Sequence, residues 1–205
     1  MIIKPIGNES CKMANIEVHE NVLSEEHWKH LHDFISNEWF SWTNQLGTAQ
    51  DRETGKDYTE GDTPQLVRNF FYREILSSKT KFPTPFNQEI FTHDYLEALP
   101  QITMIPKKLL PNCNPWRIKA NLLQPHPDAR EHHPWHTDSP ESYTSMIYYI
   151  NDSDGDTFIN KVDTQRITPK ANTAVVFPSN LWHASSNPTK GRRRVLNYMV
   201  EMAGQ

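Results

Sequence analysis

His136 and Asp138 stand two residues apart at the lip of an apolar β-type run, Met146 to Ile150, and His183 follows a second apolar run, Ala174 to Phe177. Pairing of these runs as strands brings two imidazoles and one carboxylate together. That donor set occupies one face of a non-haem Fe(II) ion and leaves coordination positions open. Ten residues beyond His183, Arg193 lies in a basic run that enters the last strand-like segment. A guanidinium fixed there matches a carboxylate bidentately, and the distal carboxylate of a 2-oxo acid is such a group.

His-x-Asp alone is a weak signal in a chain with ten histidines, and His126-Pro127-Asp128 repeats it. Context separates the two. His126 sits between prolines in a turn-rich stretch with no strand to present it. His136 and Asp138 precede Thr144 to Ile150, which can hold them in a sheet, and ligands are best fixed by rigid elements. Taken singly, His136 reads as a loop histidine, Asp138 as a turn residue before Ser139-Pro140, and His183 as a strand end packing beside Trp182. The ordered set, with Gly155-Asp156-Thr157 inside it and Arg193 after it, is far rarer by chance.

The elements that must position these residues are legible in part. Ile2 to Ile6 and Ile16 to Val18 have the composition of edge strands. Ser24 can cap a helix over about Ser24 to Ser36, with Glu25 and Glu26 in its first turn and Trp28, Leu31 and Ile35 on one face. Thr43 to Pro64 is polar and turn-rich, a long loop of the kind that serves as a lid. Leu66 to Leu76 fits a helix or a strand. NQEIFTHDYLEALP reads as a second helix ended by Pro100, and Gln101 to Ile105 as a strand. WRIKANLL alternates like a half-buried strand with Arg117, Lys119 and Asn121 on one face; that face is either site or exposed edge. Short β-type runs follow: SMIYYIN, DTFIN, Gln165 to Thr168, TAVVFP and RRVLNYM. Helices first and strands afterwards predict an α+β arrangement or a β-sandwich with helices against one sheet.

A chain of 205 residues is read as one domain, 1–205. Its net charge of −4 gives no general drive toward nucleic acid or membrane, so neither is expected as a partner. Cys11 and Cys113 do not form a disulfide framework, and no secretory signal or transmembrane window is visible. The expectation is a soluble, cytoplasmic protein.

The stretch from His136 to Arg193 resembles the catalytic core of the Fe(II)- and 2-oxoglutarate-dependent dioxygenases, in particular the prolyl 4-hydroxylase-like branch. The resemblance rests on His136-Thr137-Asp138, Tyr148-Tyr149-Ile150-Asn151, Asp154-Gly155-Asp156-Thr157, Phe177 to His183, and Arg193. It covers about the last 70 residues, and NVLSEEHWKHLHDFIS is similar to that family's N-terminal helix. The chain departs from the pattern with one glycine in the turn where the family often has two, and three arginines where one is expected.

The resemblance implies a mainly β fold with flanking helices, a double-stranded β-helix or jelly roll with N-terminal helices packed on one sheet. It implies His136, Asp138 and His183 as metal ligands, and Fe(II), 2-oxoglutarate and O2 as cofactor and cosubstrates, with succinate and CO2 as products of a hydroxylation. Strand alternation groups Arg193, Val195 and Asn197 apart from Arg192 and Arg194, and the family spacing selects Arg193 as the inward cation. Tyr149, Thr157 and Asn121 are implied as further cosubstrate contacts, although a core tyrosine at 149 is an equal reading. The substrate is a prolyl peptide, or alternatively a free amino acid, another small metabolite or a nucleobase. A non-catalytic metal-binding jelly roll is the rival from outside enzymes.

Overall fold

The computed structural model describes residues 15–47, 62–74, 88–91, 95–139 and 143–203. Along the chain it forms β1 (Glu17–Glu20), α1 (Glu25–Ser36), β2 (Thr43–Gln45), β3 (Gln65–Glu74), β4 (Gln88–Phe91), α2 (Tyr95–Leu109), β5 (Cys113–Leu123), β6 (Thr144–Tyr149), β7 (Thr157–Ile159), β8 (Gln165–Ile167), β9 (Thr173–Pro178), β10 (His183–Ser185) and β11 (Arg193–Met202). Among the described residues, a large antiparallel sheet runs β1-β9-β6-β11-β5-β3-β2, with β4 also on β3, and a smaller one runs β10-β7-β8. The architecture is the expected jelly roll.

Two hydrophobic clusters divide the interior. Ile147, Tyr149, Val175, Phe177 and Val195 from the large sheet meet Ile159 of the smaller one. On the opposite face of the large sheet, Tyr148, Leu196, Tyr198 and Val200 join Leu31 and Ile35 of α1 and Ile102 and Ile105 of α2. Both faces of the central strands are therefore buried, with the site side distinguished by its polar members.

Helix α1 begins where the sequence places it. The Ser24 side chain accepts from the His27 amide at 3.3 Å, satisfying one of the orphan donors of the first turn. The Trp28 indole donates to Ile150 O at 2.8 Å, and Asn172, at φ 58°, bonds both backbone groups of Leu23. The helix is thus tied to the end of β6.

The second helix corrects two expectations. Residues 88–91 form a strand, and α2 runs through Pro100 to Leu109, so Gln101 to Ile105 is helical rather than extended. Ile102 and Ile105, three apart and both 0% exposed, form its buried stripe. Pro106 has no N–H to offer the Ile102 carbonyl, and the Tyr198 hydroxyl donates to that oxygen instead, at 3.0 Å. A tertiary bond thus replaces the helical one that proline removes.

The ambiguous segment after Pro64 is strand β3. The stretch read as a long loop contributes β2 at its start and buried Asp62 and Thr63 near its end; residues 48–61 lie outside the described residues, as does the strand expected at Ile2 to Ile6.

Candidate metal centre

The segment that carries His136 and Asp138 is laid down by backbone pairing. His136 N donates to His183 O at 3.0 Å and His183 N to His136 O at 2.8 Å, while His133 N reaches Ser185 O at 2.7 Å and Asp138 N reaches Ser179 O at 3.0 Å. Residues 133–138 therefore run alongside β10 as an extension of the smaller sheet. The two imidazole centroids are 4.3 Å apart. Asp138 Oδ2 lies 3.7 Å from His183 Nε2, and one donor atom from each of the three residues falls within 4.8 Å of the others.

Each imidazole is oriented through its other nitrogen. His183 Nδ1 donates to Leu181 O at 3.0 Å and His136 Nδ1 to Pro134 O at 3.4 Å. A carbonyl can only accept, so both rings carry a proton on Nδ1, and in the neutral form of either ring Nε2 is the lone-pair donor. Burial, reinforced by the neighbouring His183, lowers the pKa of His136 to about 3, which keeps the ring neutral near pH 7. Burial alone would raise the pKa of Asp138. The charge of Arg117, the two imidazoles and the Ser145 hydroxyl outweigh it and hold the carboxyl well below the usual range.

Arg117 on β5 donates to Asp138 Oδ1 at 2.6 Å, and Ser145 Oγ on β6 donates to Oδ2 at 2.6 Å. Ser145 was not expected as part of the site, and the face carrying Arg117 was left between site and exposed edge. Together they fix the carboxylate from two strands of the large sheet. Partners that orient a ligand typically contribute 10- to 100-fold to metal affinity. Arg117→Gln should therefore weaken Fe(II) binding by roughly 10- to 100-fold, measured by anaerobic titration; unchanged affinity would leave the ion pair without a role there.

A cleft beside the three residues is lined by Gln65, Lys119, Asn121, Thr157, Arg193 and Asn197, among others. The parity expected for the last strand holds: Arg193 is 3% exposed and faces the cleft, Arg192 is exposed, and Arg194 lies on the other face. Arg193 Nε donates to Gly155 O at 2.9 Å and Nη2 to Thr157 Oγ1 at 2.8 Å. Tyr149 donates its hydroxyl to the same Thr157 oxygen at 2.8 Å, beneath the guanidinium. The nearby acid, Asp156, is already paired with Arg166. Arg193 thus holds a buried charge with neutral hydrogen-bond partners only among the described residues.

Gly155 has a packing reason. A Cβ there would stand 2.7 Å from Ser186 O, 2.8 Å from Pro188 N and 3.1 Å from the Cδ of Arg193. Backbone cannot yield as a side-chain tip can, so overpacking of about 1–3 kcal/mol is expected. Gly155→Ala should lower Tm by several degrees and raise the 2-oxo-acid requirement together; a variant with wild-type melting would contradict the close approach.

Asn121 lines the cleft but is bonded within its wall, donating to Gln65 Oε1 at 2.6 Å and accepting from Asn197 at 2.8 Å. Lys119 lines the same wall, its pKa lowered to about 8 by burial and then by Arg117. Gln65 was not anticipated; Asn197 was grouped by parity with Arg193, and the face of WRIKANLL that carries Lys119 and Asn121 was left between site and exposed edge. The rival His126 and Asp128 sit in an exposed turn, with the Asp128 amide donating to His126 Nδ1 at 3.2 Å. No helix of the described residues is long and apolar enough to cross a membrane.

Residues 117–200 match the family model described as the 2OG-Fe(II) oxygenase superfamily. Among solved structures, a prolyl hydroxylase from Trichoplax adhaerens, in complex with a hypoxia inducible factor oxygen degradation domain peptide, is similar with 12% identity and a TM-score of 0.61, covering 91% of this chain and 84% of that one. A 2OG-Fe(II) oxygenase family oxidoreductase from Burkholderia pseudomallei is similar at 13% identity and 0.57, with the same coverage. The non-haem alpha-ketoglutarate-dependent epimerase SnoN of nogalamycin biosynthesis is similar at 10% and 0.56, covering 93% and 78%. No curated protein matches the sequence.

Proposed function

We propose that this chain, whose residues 117–200 match the family model of the 2OG-Fe(II) oxygenase superfamily, is a 2-oxoglutarate-dependent non-haem iron oxygenase that hydroxylates a substrate C–H bond with release of succinate and CO2. His136, Asp138 and His183 are the metal ligands in this reading, and Arg193 takes the distal carboxylate of 2-oxoglutarate. The donor set suits the group: two imidazoles presenting Nε2 and an ionised carboxylate, with one side left open. When bound, iron, 2-oxoglutarate and O2 supply the oxidising chemistry. The chain's own residues bind, orient and exclude water.

One observation carries the reading. Arg193 is a buried guanidinium with neutral partners only among the described residues, opening on the cleft that holds the three ligands. A buried cation without a counter-charge is costly, and a carboxylate ligand removes that cost. Thr157 fixes the guanidinium and receives the Tyr149 hydroxyl, so these two act by positioning Arg193.

The test is an anaerobic titration with Fe(II) and 2-oxoglutarate, read by the weak visible metal-to-ligand charge-transfer band. The band is expected. Binding of Zn(II) with no such band would leave a metal-binding jelly roll without oxygenase activity.

For the substrate, the likeness to a prolyl hydroxylase suggests a prolyl peptide. A second reading, a small polar molecule, is favoured by the cleft wall, where Gln65, Lys119, Asn121 and Asn197 are all polar. Succinate formation across proline peptides, free amino acids and oligonucleotides separates the classes.

A further inference from the structure

We infer that the substrate carries a carboxylate and that Lys119 receives it; this rests on the oxygenase reading above. The argument starts from charge. The cleft lining contains Lys119 and Arg193 against the single acid Asp138, and Arg117 stands behind that acid. In the cleft lining and directly behind it that makes three cations and one anion, with the nearby Asp156 already offset by Arg166. Iron(II) and fully ionised 2-oxoglutarate cancel each other, two positive charges against two negative. The loaded cleft therefore keeps two surplus positive charges, and surplus charge in a buried place calls for an anion.

Register decides which cation is left for it. Arg117 is taken by Asp138. Arg193 pairs across the sheet with Leu123, at one end of the cleft. Lys119 pairs with Asn197, which in turn pairs with Ile147; two residues along lie Arg117, Met199 and Ser145, the row that holds Asp138. At about 3.4 Å per residue, Lys119 stands roughly 7 Å from that row and roughly 14 Å from the row of Arg193. The two cations therefore rise from separate backbone rows, and that of Lys119 is the nearer to the triad. No side-chain hydrogen bond or ion pair engages the Lys119 ammonium among the described residues.

The wall around it is preset. Asn197 donates to Asn121, Asn121 to Gln65, and Gln65 to Gly47 O at 3.0 Å. Amides locked in this chain keep a polar surface beside the ammonium without competing for its charge. A carboxylate can come from a small free acid or from an acidic side chain in a peptide, and the chemistry at Lys119 is the same.

The experiment uses the full chain with Fe(II) and 2-oxoglutarate under anaerobic conditions. The probes are free amino acids, their carboxamides, and capped peptides with and without Asp or Glu. Two readouts are followed: perturbation of the visible band on binding, and calorimetric affinity. Members with a carboxylate should bind at least tenfold more tightly than their uncharged partners. Lys119→Gln should erase that preference while leaving 2-oxoglutarate affinity within about twofold, and Lys119→Arg should retain it. Equal binding of acids and amides, or no binding by any acid, overturns the inference. So does a tenfold loss of 2-oxoglutarate affinity in Lys119→Gln, which would assign the ammonium to the cosubstrate. Absence of the band with Fe(II) and 2-oxoglutarate alone is the failure of the oxygenase reading instead.

Discussion

Replacing His183 with alanine should abolish 2-oxoglutarate-dependent succinate formation, lowering it by roughly a thousandfold or more, and remove the visible band. The imidazole is one of three donors gathered within 4.8 Å. Its loss takes several kcal/mol of metal binding and charge stabilisation from the site, and each 1.36 kcal/mol is about tenfold in rate. His183 is also held by reciprocal backbone bonds to His136 and by its Nδ1 bond to Leu181 O. The backbone bonds survive the substitution, so the fold should persist while the metal is lost. Retention of more than a tenth of the wild-type rate would remove His183 from the ligand set. His126→Ala supplies the control: the exposed His126 and Asp128 turn should be silent.

The second large effect belongs to Arg193. Truncating one member of a buried charge pair typically costs about 2–5 kcal/mol, so Arg193→Ala should weaken 2-oxoglutarate binding by between about 30-fold and a few thousandfold. Arg192→Ala and Arg194→Ala should change it by less than about twofold, because Arg192 is exposed and Arg194 sits on the opposite face of β11. The contrast matters more than any one value. Alanine at 193 also strands Gly155 O and Thr157 Oγ1, so some stability is lost with it. Lys at 193 keeps the charge and should recover part of the affinity. Similar losses at all three positions would mean that strand parity does not decide which arginine meets the cosubstrate.

The triad was legible because its residues are attached to strong strand signals. Thr144 to Ile150 and Thr173 to Phe177 are apolar runs in which β structure is the natural reading, and His136, Asp138 and His183 sit at fixed distances from them. Arg193 was legible because its spacing from His183 singled it out, while strand alternation set it apart from Arg192 and Arg194. Lys119 and Arg117 were not, although the same alternation grouped them with Asn121. Ile118, Ala120 and Leu122 on the other face of β5 are buried as well, at 1%, 0% and 2% exposure, and alternation says nothing about which of two buried faces holds the site. Helix α2 was hidden by Pro100 and Pro106, whose local signal is a stop; the bond from Tyr198 to Ile102 O that offsets Pro106 joins residues 96 apart in sequence. Gln65 entered the site by pairing of β3 with β5, a contact that periodicity in either segment leaves open.

Anomalous diffraction at the iron edge, from crystals grown anaerobically with Fe(II), bears on all of this at once. One peak is expected, within coordinating distance of His136 Nε2, His183 Nε2 and a carboxylate oxygen of Asp138, with Arg193 across the cleft. A peak that any of those three side chains fails to reach, or iron bound only elsewhere on the chain, would contradict the account.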